Sequence, residues 1–284
     1  MGFWKQLFGG QDLTPEEELQ NKQNKNFDLL KYDGVKAMKM GKADYAVRCF
    51  EEALKLKADL EINDYLSQVY IRLGELDEAM GQLDILDAAH PDQIQILIRM
   101  AQVAFMKEDY ERMDQVCNRA RQADSHSAVA CYLGAQARLG RQQTDGALEL
   151  LNRAIELRDD YADAYLLRGR TLLAVGQTDD ADTDAAWLLN HIGAQEDALL
   201  LKARIEVARG NKEQAITIYG LVLEVNPFCA EAFRERANLR RQQGDEAGAE
   251  ADLQSLRELD PTQDVEDIEQ QVKAAYSNVN PLGL

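Results

Sequence analysis

The chain has 284 residues, with 32 Lys and Arg against 50 Asp and Glu, which gives a formal net charge of −18. This charge argues against nucleic acid as the main ligand, because cationic side chains supply most of the non-specific affinity for phosphates. With 45% hydrophobic residues and only 5 prolines, the composition is that of a folded chain and excludes collagen-like and proline-rich classes.

Residues 1–13 are predicted to form a short amphipathic segment. Four apolar side chains lie on one helical face of it, beside Lys5: Phe3, Trp4, Leu7 and Phe8. Such a stretch suits shallow insertion in a bilayer interface, docking on a partner, or binding to another copy of the chain. A loosely ordered start whose apolar face touches only the first repeat stays open as well. No apolar run approaches the roughly 18 residues of a membrane helix, so membrane contact is expected only through residues 1–10.

Residues 14–26 are predicted to be a polar helical lead-in. Thr14-Pro15-Glu16-Glu17 has the pattern of a capping box with proline at the first helical position. We expect a helix to start there and to stay polar as far as Asn26.

From residue 27 onward the chain repeats itself with a period of 33 or 34 residues. One column of the repeat is alanine in six of seven copies, with Met113 in the remaining one: Ala46, Ala79, Ala147, Ala181, Ala215 and Ala249. A second column of small residues precedes it: Gly34, Ser67, Ala101, Ala135, Gly169, Ala203 and Ala237. Between the two columns, five copies carry glycine: Gly41, Gly74, Gly176, Gly210 and Gly244. The glycine marks a turn between two helices, and the small residues mark where those helices cross closely.

These columns resemble the tetratricopeptide repeat, whose unit of about 34 residues carries small residues and a closing proline at such positions. The resemblance covers residues 27–261 as about seven repeats. It implies an all-α, right-handed superhelical solenoid of antiparallel helix pairs, with a concave groove lined by the first helix of each pair.

Two departures from the repeat pattern predict local differences. The Leu133-Gly134 pair of the fourth copy comes one residue early, so we expect the first helix of that copy to be shifted in register. Three copies carry a charged residue in the column that should hold an aromatic before the turn, which predicts looser packing there: Arg138, Glu206 and Arg240.

Residues 262–284 are predicted to form a C-terminal capping helix and tail. One apolar stripe runs along an otherwise polar segment: Val265, Ile268, Val272 and Tyr276. A helix with such a stripe is suited to covering the last repeat.

Catalytic, cofactor-binding and metal-binding residues are not predicted. The three histidines fall in turns between repeats, one per copy, and the sequence has no nucleophile elbow or phosphate-binding glycine loop. The four cysteines include no Cys-x-x-Cys pair, which argues against a zinc site and a disulfide framework and favours a reducing, cytoplasmic location.

The predicted groove is apolar with a sparse row of arginines. Its candidate residues are Ile98, Arg99, Phe105, Leu166, Leu167, Arg170, Leu200, Leu201 and Arg204. Arginines there suit a carboxylate-bearing peptide. An equally open alternative pairs Arg170 and Arg204 with Asp163 and Asp197, seven residues earlier in each case, and assigns the leucines to packing between repeats.

The sequence therefore favours a non-enzymatic adaptor that binds a peptide segment of a partner protein in this groove. The alternative is a self-assembling or membrane-proximal scaffold that uses residues 1–10, and a homo-oligomer stays open. Neither hypothesis identifies the partner.

Overall fold

The computed structural model describes residues 14–259. Over that range the regular elements are all α-helices, which confirms the predicted all-α class. The chain divides between Ser125 and His126 into two compact units. Within residues 14–259, three helical hairpins lie in the N-terminal unit and four in the C-terminal unit.

The N-terminal unit is built from three hairpins. Its helices are α1 (Pro15–Lys39), α2 (Ala43–Leu56), α3 (Leu60–Leu73), α4 (Leu76–Ala89), α5 (Ile94–Met106) and α6 (Tyr110–Ala123). The two helices of each hairpin pack against each other, and each hairpin packs against the next.

The C-terminal unit is built from four hairpins in the same way. Its helices are α7 (Ala128–Gly140), α8 (Thr144–Leu157), α9 (Ala162–Ala174), α10 (Thr178–His191), α11 (Glu196–Ala208), α12 (Lys212–Val225), α13 (Ala230–Gln242) and α14 (Glu246–Leu259). The odd-numbered helices are the first helices of their hairpins.

The turn inside each hairpin contains one residue in the left-handed backbone conformation. Glycine occupies this position in five hairpins, for example Gly74 with φ 77° and Gly210 with φ 82°. In the other two hairpins Glu108 (φ 56°) and Gln142 (φ 59°) occupy it. A side chain costs about 1–2 kcal/mol in this conformation, so packing of the two flanking helices must outweigh that cost.

The two columns of small residues lie at the contact between paired helices, as predicted. Ala181, Ala215 and Ala249 are each 0% exposed. Gly34 shows why the residue must be small, because a Cβ atom built there would lie 2.5 Å from Cε1 of Phe50.

The lead-in and the first repeat share one helix. Thr14 caps α1, with the reciprocal hydrogen bonds of a capping box to Glu17, so the predicted start is confirmed. The predicted boundary at residue 26 is not a break in α1. It marks the point where burial begins, since residues 15–26 are exposed and Phe27 is 5% exposed.

The fourth repeat is in register, so the predicted shift of its first helix is wrong. Helix α7 begins 34 residues after α5 and 34 before α9. Ala135 and Ala147 are 0% exposed, and Leu133 is buried as well, at 7% exposure. The early Leu-Gly pair is accommodated inside the core without moving the helix.

Looser packing is predicted at the charged residues before the turns, but hydrogen bonds to the second helix hold Arg138 and Arg240 in the place of an aromatic contact. Arg138 donates to the carbonyl of Gly146 at 3.2 Å, and Arg240 donates to the carbonyl of Gly248 at 3.0 Å. The glycine leaves room for the arginine, since a Cβ atom at Gly146 would lie 2.6 Å from Nη1 of Arg138.

None of the helices in residues 14–259 has the length and apolar character needed to cross a membrane. The amphipathic segment predicted for residues 1–13 and the cap predicted for residues 262–284 lie outside the described residues.

Candidate functional site

In the C-terminal unit, one face of the first helices combines apolar and charged side chains. We define the first-helix face of this unit by the residues three to four apart along α9, α11 and α13, which share a side of each helix: Asp163, Leu166, Arg170, Leu173, Asp197, Leu200, Arg204, Val207, Glu231, Arg234 and Asn238. Leu166, Leu173 and Val207 are half-buried there. They are the apolar side chains of this face that a ligand can reach.

Three of the leucines predicted as peptide anchors belong to the core instead. Leu167, Leu200 and Leu201 are 8%, 3% and 1% exposed. Neighbouring helices cover them, so a peptide would reach them only after repacking of the unit. The alternative of packing between repeats describes these three residues, whereas Leu166 stays accessible.

The two predicted groove arginines of this unit join consecutive first helices. Arg170 contacts the carboxylate of Asp197 at 2.5 Å, and Arg204 contacts Glu235 at 2.7 Å and also Glu231. Although burial lowers the pKa of Arg204, the charge of Glu235 and a hydrogen bond to it raise that pKa above its ordinary value. Both arginines are therefore already bound to carboxylates of the chain itself.

The predicted pairing of Arg170 with Asp163 and of Arg204 with Asp197 is wrong. Seven residues span two helical turns, about 10 Å along the axis. The first turn of the next first helix is closer, and it supplies Asp197 to Arg170 and Glu231 to Arg204. Each ion pair thus holds two repeats together.

In the fourth repeat, the position that corresponds to Arg170 and Arg204 is held by Gln136 of α7, which donates a hydrogen bond to the hydroxyl of Tyr132 at 3.3 Å. Asp163 of α9 corresponds to Asp197 of α11. It is exposed and has no ion pair within residues 126–259. Burial, followed by the charge of Asp163, raises the pKa of Tyr132 to about 12. The Tyr132 hydroxyl therefore stays protonated at neutral pH, mainly because it is buried.

At the other end of the face, Arg234 is half-buried and has no salt bridge with any residue of 126–259. Its Nε is buried and makes no hydrogen bond. Arg170 and Arg204 each bind a carboxylate, so the missing salt bridge distinguishes Arg234 from them. The buried Nε does not, since the Nε of Arg170 also makes no hydrogen bond.

The buried acids of the same unit are matched by cations. Asp184 binds Arg168 at 2.6 Å, and Asp252 binds Arg236 at 2.6 Å. Burial raises the pKa of Asp184, although the hydrogen bond from Arg168 opposes the shift. These pairs stabilise the contact between first and second helices and do not belong to the first-helix face.

The remaining predicted groove residues lie in the N-terminal unit. Arg99 contacts Asp64 of the preceding first helix at 2.5 Å and Ser67 at 3.4 Å. Ile98 and Phe105 are half-buried, and the ring of Phe105 lies edge-on to Tyr110 at 6.3 Å. Arg99 therefore serves the same joining role as Arg170.

The predicted site leaves out the two charged residues Asp163 and Arg234 of this face, and also Leu173, Asp197, Val207, Glu231 and Asn238. The signal for Asp163 is present in the sequence, because Gln136 stands where Arg170 and Arg204 stand in later copies. The docking residues predicted at the N-terminus lie outside the described residues: Phe3, Trp4, Leu7 and Phe8. Within residues 14–259, no group of three or more His, Cys, Asp or Glu side chains is placed to hold a metal ion.

The model of the tetratricopeptide repeat family matches residues 132–196 and 200–264. None of the curated proteins matches the chain. Among solved structures, a tetratricopeptide repeat protein from Parabacteroides merdae ATCC 43184 is similar over 89% of this chain and 99% of its own, with a TM-score of 0.72 and 16% identity. The C-terminal part of a repeat protein of this class from Cytophaga hutchinsonii aligns with 84% of this chain and 98% of its own, at a TM-score of 0.65 and 16% identity.

A third similar structure is YrrB, a tetratricopeptide repeat protein with an unusual peptide-binding site. It covers 67% of this chain and 97% of its own, with a TM-score of 0.52 and 16% identity. At these identities the structural likeness concerns the fold.

Proposed function

Since this chain belongs to the tetratricopeptide repeat family and forms an all-α repeat solenoid, we propose that it is a non-enzymatic adaptor. It binds a segment of a partner protein on the first-helix face of the C-terminal unit. Members of this family are in general protein interaction modules, and YrrB has a peptide-binding site. A cytoplasmic location belongs to the same proposal, and it is supported by the four buried cysteines of residues 14–259, which form no disulfide.

The observation that carries this proposal is the set of half-buried apolar side chains on adjacent first helices: Leu166, Leu173 and Val207. They lie among charged residues, several of which are fixed by ion pairs. An apolar centre with a polar rim is the usual composition of a protein interface. Fixed charges around it lower the entropy lost on binding.

The ion-paired arginines support the same face in a structural role. Reversing the charge of Arg170 and Arg204 would place like charges beside Asp197 and Glu235. That change would loosen the contact between repeats as well as alter binding, so a loss of capture would have two explanations. Substitution of the accessible apolar residues alters binding without breaking these ion pairs.

The proposal predicts that the double variant Leu173→Glu/Val207→Glu loses capture of partner protein from the source cell by about tenfold, since two carboxylates replace the apolar centre. The matched control is Leu221→Glu/Val225→Glu on the second helix α12, where both residues are exposed, at 42% and 50%. Helix content, measured by circular dichroism, should be the same in both variants. Equal capture by the wild type and the first variant would contradict the proposal.

A further inference from the structure

The ion pairs between consecutive first helices follow one regular pattern, and Asp163 has no place in it. In the regular pattern, an arginine on one first helix binds an acid in the first turn of the next, as Arg170 binds Asp197 and Arg204 binds Glu231. Gln136 holds the arginine's place before Asp163. The carboxylate of Asp163 is therefore left without the cation that its equivalents have.

Arg234 is a cation without an acidic partner on the same face. Its column holds Leu166 and Leu200 in the two preceding repeats, so the arginine stands where an apolar residue is usual. It forms no salt bridge within residues 126–259, whereas Arg170 and Arg204 each bind a carboxylate of the next first helix. An arginine in this setting gains most from a carboxylate that approaches from outside.

The two unmatched charges lie on the outer two of three consecutive first helices, Asp163 on α9 and Arg234 on α13. Leu166 lies one turn along α9 from Asp163, and Leu173 and Val207 lie farther along α9 and α11 on the same face. Neighbouring helices pack about 8–10 Å apart, so two helix-to-helix steps place the charges about 20 Å from each other. An extended chain covers this distance with about six residues.

We propose that this face is electrically polarised and binds a segment with a basic residue against Asp163, an acidic residue against Arg234 and an apolar stretch between them. The two charged residues of the ligand are about six positions apart. The inference rests on the proposed function and specifies the chemistry of the partner. Charge complementarity of this kind fixes the register of a peptide and excludes segments of the opposite polarity.

The pairing of the other charges in this unit favours an external ligand for Asp163 and Arg234. Its buried acids in this unit have cationic partners, as Asp184 and Asp252 show, and the other first-helix arginines are bound to carboxylates. Two unmatched charges of opposite sign thus stand out on a face where charges are otherwise paired.

A displayed library of random dodecapeptides, selected on the full-length protein, tests the inference. Peptides selected on the wild type should carry a basic and an acidic residue about six positions apart. Selection on Asp163→Asn should lose the basic residue alone, and selection on Arg234→Gln should lose the acidic one alone. The control Glu213→Gln, an exposed acid of α12, should select the same peptides as the wild type.

A synthetic peptide of the selected sequence gives the same test in solution. Replacing its basic residue by Gln should weaken binding to the wild type roughly tenfold and leave binding to Asp163→Asn unchanged. Selected peptides without a charge preference would overturn the inference and leave the proposed function intact. Enrichment that is equal on Leu173→Glu/Val207→Glu and on the wild type would overturn both.

Discussion

At the scale of single residues, two helices approach closely where one of them carries glycine, which has no side chain, within a hairpin at Gly34 and between hairpins at Gly169. A Cβ atom at Gly34 would lie 2.5 to 3.0 Å from three atoms of the Phe50 ring, and one at Gly169 would lie 2.8 Å from Cδ2 of Leu201. Gly81, which is also inside a helix, has open space at the same position. The same substitution therefore has opposite consequences at different glycines.

We predict that Gly34→Ala lowers the free energy of unfolding by about 1–3 kcal/mol, because the Phe50 ring must shift in a packed core. Gly81→Ala should raise it by about 0.5–1 kcal/mol, because alanine restricts the unfolded chain and favours helix. Urea unfolding of the two variants measures both changes. Effects of the same sign would show that the helices do not cross at Gly34.

Residue identity explains which parts of the site were predictable. Small residues recur with the period of the repeat, and the burial of Ala181 and Ala215 was predicted from that recurrence. The depth of Leu200 and Leu201 was not predictable, because it depends on how adjacent hairpins overlap. Likewise, the partner of Arg170 lies 27 residues away on another helix, and spacing along one helix does not reveal it.

At the scale of secondary-structure elements, ion pairs between consecutive hairpins supplement the apolar contacts. In the N-terminal unit, Arg119 of α6 binds both carboxylate oxygens of Asp87 at 2.8 Å and also Asp92 at 2.8 Å. Hydrogen bonds from Arg119 hold the pKa of Asp87 below its ordinary value of 3.8. A bidentate pair of this kind is stronger than a typical surface salt bridge.

We predict that Arg119→Gln lowers the free energy of unfolding at pH 7 by about 1 kcal/mol, a low value because the Arg119 side chain is 38% exposed. A carboxyl group with a lowered pKa stabilises the fold above its unfolded pKa, and this contribution is lost as the pH falls through its folded pKa. The difference between the variant and the wild type should therefore shrink when unfolding is measured at pH 3.

The control for this prediction is Lys55→Ala, which removes an exposed pair with Glu52 inside the single helix α2. We expect no measurable change in stability, because this pair joins no two elements. If Arg119→Gln destabilised the protein equally at pH 7 and pH 3, the loss would come from packing and not from the charge of Asp87.

At the scale of the whole molecule, the repeat architecture indicates a protein interaction module and leaves the identity of the partner to the side chains. Many unrelated partners are served by one repeat architecture, and similarity at 16% identity concerns that architecture. The class of function was therefore predictable from the repeat. The sequence signals the unmatched Asp163 through Gln136 in the arginine column, whereas the unmatched Arg234 is identified only from its neighbours in the fold.

We propose above all that the partner protein contacts the first-helix face of the C-terminal unit. Photo-crosslinking in the source cell tests it directly, with p-benzoylphenylalanine placed at Leu173 or Val207 and, as controls, at Leu221 or Val225 of α12. We predict a discrete crosslinked partner from the first two positions and none from the controls. Crosslinks of equal yield from all four positions, or from the α12 positions alone, would contradict the account.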